Sequence, residues 1–180
     1  DADLAAIADW TASSTAAPQM MSGLPEARLL EALLVAGGGE RVLEIGTFTG
    51  FGALAMAAAL PEHGRVVTIE VDPETAAAAR RHLDAHPAGA RVELLVGNAL
   101  ELLAGLDGPF DLVYLDAWKS DYPAYYELIV PRLARRGVLV ADNLFRGGRA
   151  LDPADEDEAS VALRAFAARV QADPRVHNVL

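Results

Sequence analysis

The chain contains no cysteine, a single lysine and few aromatic side chains, which make up 6% of its 180 residues. The absence of cysteine excludes a disulfide scaffold, a thiolate zinc site and a cysteine nucleophile. No apolar run approaches the ~20 residues of a membrane-spanning helix and no signal-peptide pattern opens the chain, so we expect a cytoplasmic protein with no membrane partner. Basic residues are also scarce. The 15 Lys and Arg face 26 Asp and Glu, a net charge of −11, which argues against nucleic acid as a partner.

The length and the balance of residue types predict one globular domain. Hydrophobic residues make up 52% of the chain and charged residues 23%, an ordinary balance for a domain with its own core. A chain of this length corresponds to about one domain, at roughly 150 residues each. We therefore expect a single domain over 1–180, opened by an Ala-rich segment at 1–22 that forms a short helix and then a loop.

Short apolar runs alternate with helical patterns along the chain. The runs predict strands at 41–45, 66–71, 91–96, 111–116 and 137–142. The helical patterns lie from Pro25 to the glycines at 37–39, and at 51–60, 73–86, 98–105, 122–134 and 158–172. A polar loop at 143–156 precedes the last helix, and a further strand is expected to begin within 175–180. Strands separated by single helices predict an α/β fold, with a mostly parallel sheet and helices on both faces.

Four of the five predicted strands end in an acidic residue. These residues are Glu44, Glu70, Asp116 and Asp142, and Asn143 follows the last of them. Because ligands bind at the carboxyl ends of parallel strands, we expect these side chains to meet at one edge of the sheet. Carboxylates crowded in this way repel one another unless cations or hydroxyl groups lie between them. The strand ends therefore predict a ligand site. The alternative, that acidic residues here only cap helices, suits Asp72 and Asp121 but not these four.

A glycine pattern follows the first strand. Gly50–Ala55 matches the G-x-G-x-x-G/A fingerprint of dinucleotide-binding proteins, and Glu70 lies 20 residues beyond Gly50. The fingerprint should follow its strand at once, whereas residues 46–50 come between them here. An oxidoreductase that uses a nicotinamide cofactor is thus one alternative, but it lacks a Tyr-x-x-x-Lys pair, since the spacing from Tyr114 to Lys119 is one residue too long. It also leaves the polar pair after the fifth strand unexplained.

Three segments in this order resemble a known family. They are Val42–Gly50 (VLEIGTFTG), Phe110–Tyr122 (FDLVYLDAWKSDY) and Ala141–Asn143 (ADN), and the similarity runs from about residue 20 to the end. They resemble the cation-dependent O-methyltransferases, which include caffeoyl-CoA and catechol O-methyltransferases and bacterial relatives. The resemblance implies a Rossmann-like class I methyltransferase fold, an S-adenosylmethionine (SAM) cofactor, and a divalent cation, usually Mg²⁺. It also implies a catechol-like, vicinal dihydroxy small molecule as acceptor, and a C-terminal antiparallel hairpin that is incomplete at residue 180. It leaves monomer and homodimer open.

The resemblance assigns the metal ligands and the catalytic base. Asp116, Asp142 and Asn143 match the metal ligands, and their hard oxygen donors suit Mg²⁺ or Ca²⁺. Lys119 matches the general base and is the one lysine of the chain. A base must be able to lose its proton, which a guanidinium cannot do, so a lysine in a chain otherwise rich in arginine fits that role. The alternatives are a hydrogen-bonded Asp pair without metal and a solvated surface lysine.

The cofactor residues are also implied by the resemblance. Those expected to contact SAM are Glu44, Gly46, Thr47, Phe48, Gly50, Gly52, Glu70, Val71, Asn98, Ala99, Asp116 and Trp118. Glu44 and the glycine loop would hold the methionine part, Glu70 the ribose hydroxyls, and Asn98 and Ala99 would border the adenine. Trp118 either flanks the adenine and the substrate entrance or is a core aromatic residue. Position 52 departs from the family, since many relatives carry a serine there.

Some features are expected to carry no chemistry. His82 and His86 lie four residues apart on one helix face, but no third ligand accompanies them, so a solvated helix end is favoured over a metal site. For Arg146 and Arg149, solvation is favoured over contact with an acidic or CoA-bearing substrate. For the acidic run 152–158, a mobile loop over the active site is favoured over a second metal site. A non-catalytic binding protein on a methyltransferase scaffold is a second alternative. It predicts loss of a metal ligand or of Lys119, and neither is lost.

Overall fold

The computed structural model describes residues 2–179, which form seven α-helices and a five-stranded sheet. The strands are β1 Arg41–Ile45, β2 Arg65–Glu70, β3 Val92–Val96, β4 Phe110–Leu115 and β5 Leu133–Ala141. The helices are α1 Ala2–Ser14, α2 Leu24–Gly37, α3 Phe51–Ala59, α4 Pro73–Asp84, α5 Ala99–Ala104, α6 Tyr122–Ile129 and α7 Glu158–Gln171. Short 3-10 turns lie at Pro18–Met20, Pro87–Arg91, Lys119–Asp121, Val130–Arg132 and Arg146–Leu151. No helix in the described range is both long enough and apolar enough to span a bilayer.

The sheet has the strand order β3-β2-β1-β4-β5, and all its neighbouring strands are parallel. The chain moves outward from β1 through β2 to β3, then crosses to the other side of β1 for β4 and β5. The reversal of strand order between β1 and β4 is the topological switch point, where open α/β sheets bind ligands. The expected α/β fold with a parallel sheet is confirmed.

The core covers both faces of the sheet. Val42 on β1 belongs to a buried cluster that includes residues of α1, α2 and α3, whereas the next residue, Leu43, belongs to a second cluster with α5, α6 and α7. Leu112 and Val113 on β4 divide between the same two clusters. This alternation is what a strand with period 2 produces when helices cover both of its faces. The apolar strand runs in the sequence therefore reflect burial on two sides.

The boundary between α6 and β5 differs from the prediction. The helix predicted over 122–134 ends at Ile129, and the strand predicted at 137–142 already begins at Leu133. Pro131 lies in a 3-10 turn that follows the helix. The pairing of β5 with β4 shifts register between Phe110 and Leu112, so residues 134–137, which include Arg135 and Arg136, bulge out of the ladder. The polarity of Arg135 and Arg136 is the reason why the apolar pattern did not predict a strand that starts at Leu133.

The prediction that a further strand begins within 175–180 is wrong for residues 175–179, and Leu180 lies outside the residues that the structure describes. Residues 174–175 form a turn and 176–179 have no regular structure. Arg175 folds back on Asp173, with Nη2 2.6 Å from Oδ2, and Tyr126 Oη donates to the same carboxylate at 3.2 Å. Through Asp173, these contacts connect the segment after α7 to Tyr126 on α6. No antiparallel strand pair occurs within residues 2–179.

Candidate functional site

A cavity of about 1000 Å³ opens at the carboxyl edge of the sheet. It brings together all but one of the residues predicted to bind a cofactor or metal or to act as the base. Those that line it are Glu44, Gly46, Thr47, Phe48, Gly52, Glu70, Val71, Asn98, Ala99, Asp116, Trp118, Lys119, Asp142 and Asn143. Gly50 does not line the cavity. It precedes α3 in a left-handed conformation (φ 89°) with its backbone against Ala79.

Glu44 is the most deeply buried carboxyl group of the cavity, with 1% of the residue exposed. Its Oε2 accepts a hydrogen bond from Thr68 Oγ1 at 2.5 Å, and Thr47 Oγ1 lies 2.6 Å from the same threonine hydroxyl. The pKa of Glu44 is raised from 4.5 to about 8, chiefly by burial and in smaller part by charge repulsion from Asp116 and Glu70, while the Thr68 hydrogen bond opposes the shift. The cofactor-free protein therefore holds an uncharged carboxyl group here at neutral pH.

The glycine at position 52 makes room for this carboxyl group. A Cβ atom built on Gly52 would collide with Glu44 Oε1. A serine at this position would thus require the Glu44 side chain to shift. A similar fit explains the glycine at position 46, because a Cβ atom there would overlap the carbonyl oxygen of Asp116. The two glycines are explained by the fit of the protein around its own acidic residues.

Glu70 is held by backbone amides on both oxygens. Phe48 N donates to Oε2 at 2.8 Å and Asp72 N donates to Oε1 at 3.0 Å. Phe48 also has a positive φ of 49°, which is uncommon for a bulky residue. Each carboxylate oxygen has a second lone-pair direction, so Glu70 retains acceptor capacity toward the cavity. Asp72 accepts from Thr75 N at 2.8 Å and caps α4 as expected.

Asp116 and Lys119 form an ion pair where the loop after β4 meets the cavity. Lys119 Nζ lies 2.7 Å from Asp116 Oδ1 and 2.7 Å from Tyr122 Oη. The phenol oxygen of Tyr122 also lies 2.9 Å from the carbonyl of Leu115 and 3.1 Å from that of Asp142, so it is anchored to the ends of β4 and β5. Burial raises the pKa of Tyr122, which keeps the phenol neutral. Lys119 is therefore a fixed group of the site, and the solvated-lysine alternative does not describe it.

Asp142 and Asn143 follow β5, directly beside Asp116. Asp142 N donates to the carbonyl of Leu115 at 3.0 Å, which places the two aspartates at adjacent strand ends. Asn143 adopts a positive φ of 57°, and its amide N donates to Asp142 Oδ1 at 2.6 Å. Within residues 2–179 no group of three or more His, Asp or Glu side chains is arranged to hold a metal ion. A cation between the two aspartates would thus need the Asn143 amide and oxygens from outside the protein.

The outer rim of the cavity carries exposed aromatic residues. Trp118 is 73% exposed, which excludes the alternative that it is a core residue. Phe145 is also exposed and lines a second cavity of about 850 Å³. That cavity shares Lys119, Asp142 and Asn143 with the first, so the two spaces adjoin at the acidic residues.

The arginines expected to be solvated both form ion pairs with the acidic run, although Arg149 remains exposed as expected. Arg146 forms an ion pair with Asp157, and Arg149 Nε lies 2.8 Å from Asp155 Oδ2. Two carboxylates of the acidic run, those of Asp155 and Asp157, therefore bind arginines of the same loop. Asp121, expected as a helix cap, makes no side-chain capping bond to α6.

The histidine pair is likewise not a solvated helix end. His82 packs edge-on against Trp10, and its Nδ1 lies 2.8 Å from the Thr49 carbonyl oxygen. His86 lies 3.3 Å from an Asp3 carboxylate oxygen and accepts from Ala88 N. His82 thus connects α4 to α1 and to the glycine loop, and His86 connects the residues after α4 to α1.

Three residues make polar contacts at the site that the sequence patterns do not predict. They are Tyr122 beside Lys119, Tyr114 beside Asp142, and Thr68 beside Glu44. Tyr122 is the last residue of the segment Phe110–Tyr122 and lies three positions after Lys119, so this spacing is a usable sequence signal. Tyr114 and Thr68 lie within apolar strand runs, where a hydroxyl is the one local sign of a buried polar contact.

Fold and site together define a Rossmann-like α/β protein with an acidic ligand site at the switch point of its sheet. A sequence profile described as O-methyltransferase matches residues 2–180. Catechol O-methyltransferase of Mycobacterium tuberculosis is 42% identical over 163 residues, which cover 88% of this chain and 74% of the relative. Catechol O-methyltransferase of Niastella koreensis is 37% identical over 142 residues, with 76% of this chain and 64% of the relative covered, so the chain spans less than two thirds of that protein.

Solved structures agree with these matches. The O-methyltransferase TomG of Streptomyces achromogenes, in complex with SAM, superimposes with a TM-score of 0.91 at 33% identity, covering 96% of this chain and 79% of that one. An O-methyltransferase of Bacillus cereus, in complex with SAH, gives a TM-score of 0.91 at 29% identity, with coverages of 97% and 80%. The chain belongs to the O-methyltransferase family, and the resemblance noted in its sequence is confirmed.

Proposed function

We propose that the protein is a SAM-dependent and divalent-cation-dependent O-methyltransferase that acts on a catechol-like, vicinal dihydroxy small molecule. The observation that carries this proposal is the convergence of Asp116, Lys119, Asp142 and Asn143 at one end of a cavity whose inner wall holds Glu44 and Glu70. The two ends suit different ligands. Oxygen donors and a lysine face the outer end, while the inner end offers carboxyl groups to a cationic amino acid and a ribose.

The inner end fits SAM by its chemistry. The Glu44 carboxyl group is buried and already bonded to Thr68, so it is a fixed acceptor for the ammonium of a methionine group. Glu70 retains free lone pairs beside its two backbone bonds, which suits a ribose diol. Asn98 caps α5 through Leu100 N at 2.9 Å, and with Ala99 it lines the wall assigned to the adenine. SAM and SAH in the related structures support the same cofactor here.

The outer end fits a divalent cation. Two carboxylates and an amide oxygen form a hard oxygen donor set, which Mg²⁺ prefers when water or substrate oxygens fill the remaining positions. The Lys119 ammonium against Asp116 indicates that this carboxylate already attracts a positive charge. Asp116, Asp142 and Asn143 would hold the cation. Its chemistry would be to lower the pKa of an acceptor hydroxyl, as bound cations do for water, while SAM supplies the methyl group.

Lys119 is proposed as the base that takes the proton of the acceptor hydroxyl at Nζ. Asp116 and Tyr122 hold Nζ at 2.7 Å each, so the amine is positioned before an acceptor arrives. Trp118 and Phe145 provide exposed aromatic faces at the rim that a planar ring would contact.

The test is transfer of a labelled methyl group from SAM to a panel of catechols, with Mg²⁺ or with EDTA. We expect turnover with Mg²⁺ and near-complete loss with EDTA. Lys119→Arg keeps the positive charge but cannot lose a proton, so turnover should fall on the order of 10²–10⁴-fold while SAM affinity is retained. Asp142→Asn removes a proposed cation ligand and should lower turnover with Mg²⁺. Asp107→Asn, before β4 and thus at the opposite edge of the sheet, is its matched control and should keep wild-type turnover. SAM binding without methylation of any diol would favour the binding-protein alternative.

A further inference from the structure

A chain of hydroxyl groups connects the N-terminal segment to Asp142. Tyr114 Oη donates to Asp142 Oδ2 at 3.1 Å, and Ser22 Oγ lies 3.1 Å from the same phenol oxygen. The three residues come from the loop before α2, from β4 and from the end of β5. Ser22 and Asp142 line the main cavity, whereas Tyr114 lies beneath it in the core.

The chemistry of the three groups fixes the direction of these bonds. An ionised carboxylate only accepts, so the single phenol proton of Tyr114 points to Asp142. The phenol oxygen then accepts the proton of Ser22. The ring of Tyr114 is 1% exposed and packs in the cluster beneath α2 and α3, so its hydroxyl has little freedom to turn elsewhere. Removing Ser22 would leave the phenol oxygen without that donor but would not move the ring.

These contacts hold Asp142 on both of its oxygens. Oδ1 accepts from Asn143 N at 2.6 Å and Oδ2 accepts from Tyr114. Asp116 is different, because Lys119 is the one side chain that bonds its carboxylate among the described residues. Of the two aspartates, Asp142 is thus the one whose carboxylate plane is fixed from within the core.

We propose that Tyr114 is a positioning residue that orients Asp142 toward a divalent cation, and that Ser22 acts on the cation through Tyr114. This inference rests on the proposed function, since it assumes that Asp142 ligates a cation. Groups that orient metal ligands contribute about 10–100-fold to metal affinity. The N-terminal loop that borders the cavity is thereby connected to the cation site by two hydrogen bonds.

The experiment measures Mn²⁺ binding to the SAM-free protein by electron paramagnetic resonance of the free ion. Tyr114→Phe, which removes one oxygen and keeps the ring, should weaken Mn²⁺ binding about 10–100-fold and leave SAM affinity without metal unchanged. Tyr126→Phe is the matched control, because it removes a buried phenol oxygen 3.2 Å from Asp173 and should leave Mn²⁺ affinity unchanged. Melting curves of both variants separate a loss of folding from a loss of affinity.

Ser22→Ala tests the outer part of the chain. It should weaken Mn²⁺ binding in the wild-type background and have no further effect in the Tyr114→Phe background, because the proposed effect of Ser22 passes through the phenol oxygen of Tyr114. Independent, additive losses would overturn the role given to Ser22, and wild-type Mn²⁺ affinity in Tyr114→Phe would overturn the whole inference. Asp142→Asn distinguishes the two levels. If Asp142→Asn loses Mn²⁺ while Tyr114→Phe does not, only this inference fails. If wild type binds no Mn²⁺, or if Asp142→Asn binds it as wild type does, the proposed cation site fails with it.

Discussion

Replacing Glu44 by glutamine tests the electrostatics at the inner end of the cavity. Glutamine has the shape of the protonated carboxyl group, and its Oε1 can accept the bond that Thr68 donates to Glu44 Oε2 in the wild type. It cannot ionise. The variant should therefore match the wild type where Glu44 is protonated and differ from it where Glu44 is forced to ionise.

The size of the effect follows from the raised pKa. The unfolded chain releases the Glu44 proton near pH 4.5 and the folded protein only near pH 8, so between these values the folded protein holds more protons. Stability contributed by this group is present below pH 4.5 and is lost as the pH rises toward about 8. The difference between the two pKa values corresponds to about 5 kcal/mol, because one pKa unit is about 1.4 kcal/mol. This figure is an upper bound, because movement of the side chain or entry of water would reduce it.

Urea unfolding of cofactor-free protein at several pH values between 4.5 and 9 measures the effect. We expect Glu44→Gln to remove a decline in unfolding free energy that wild type shows over this range, so the variant is the more stable protein at pH 8.5. Glu93→Gln on β3, at an exposed position, is the matched control and should follow wild type. Parallel curves for wild type and Glu44→Gln would refute the reasoning, because they would mean that burial does not hold the proton on Glu44.

Three further outcomes are expected. Gly52→Ala should weaken SAM binding measured by calorimetry, because its Cβ atom would displace the Glu44 carboxyl group; unchanged affinity would show that Glu44 can shift freely. Trp118→Ala should change the unfolding free energy by less than about 0.5 kcal/mol, since the side chain is exposed, but raise the KM for a catechol acceptor. A large loss of stability would instead give it a packing role. Asp155→Asn removes the carboxylate that pairs with Arg149, so trypsin should cleave after Arg149 faster than in wild type, and an equal rate would mean that this ion pair does not order the loop.

The strand ends were predictable because they depend on local patterns and one topological fact. Runs such as 41–45 are apolar enough to predict a strand by themselves, and any parallel sheet then brings the following acidic residues to one edge. Glu44, Glu70, Asp116 and Asp142 could thus be placed together without knowledge of their contacts. The boundary between α6 and β5 could not be predicted in this way. A register shift between Phe110 and Leu112 lets Arg135 and Arg136 enter the strand, and a shift of this kind depends on the partner strand.

Contacts between distant segments were beyond the sequence patterns. Ser22 and Tyr114 are 92 positions apart, and nothing local marks either as a partner of Asp142. The ion pairs of Arg146 and Arg149 were missed for a different reason. An arginine in a polar loop is solvated in most proteins, and only the fold of the 146–157 loop brings these side chains to Asp157 and Asp155.

The glycine loop shows how one pattern can have two physical origins. A loop of this kind suggests a backbone that approaches a ligand closely, and a dinucleotide fingerprint adds phosphate binding at a helix N-terminus. Here a Cβ atom on Gly46 would overlap the Asp116 carbonyl, one on Gly52 would collide with Glu44, and Gly50 packs against Ala79. Contacts within the protein thus explain Gly46 and Gly52, and both contacts involve residues of the acidic site, whereas the positive φ of 89° explains Gly50. The G-x-G-x-x-A match thus arises from the left-handed conformation of Gly50 and the packing of Gly52 against the Glu44 carboxyl group, so in this chain it is no argument for a phosphate at that position.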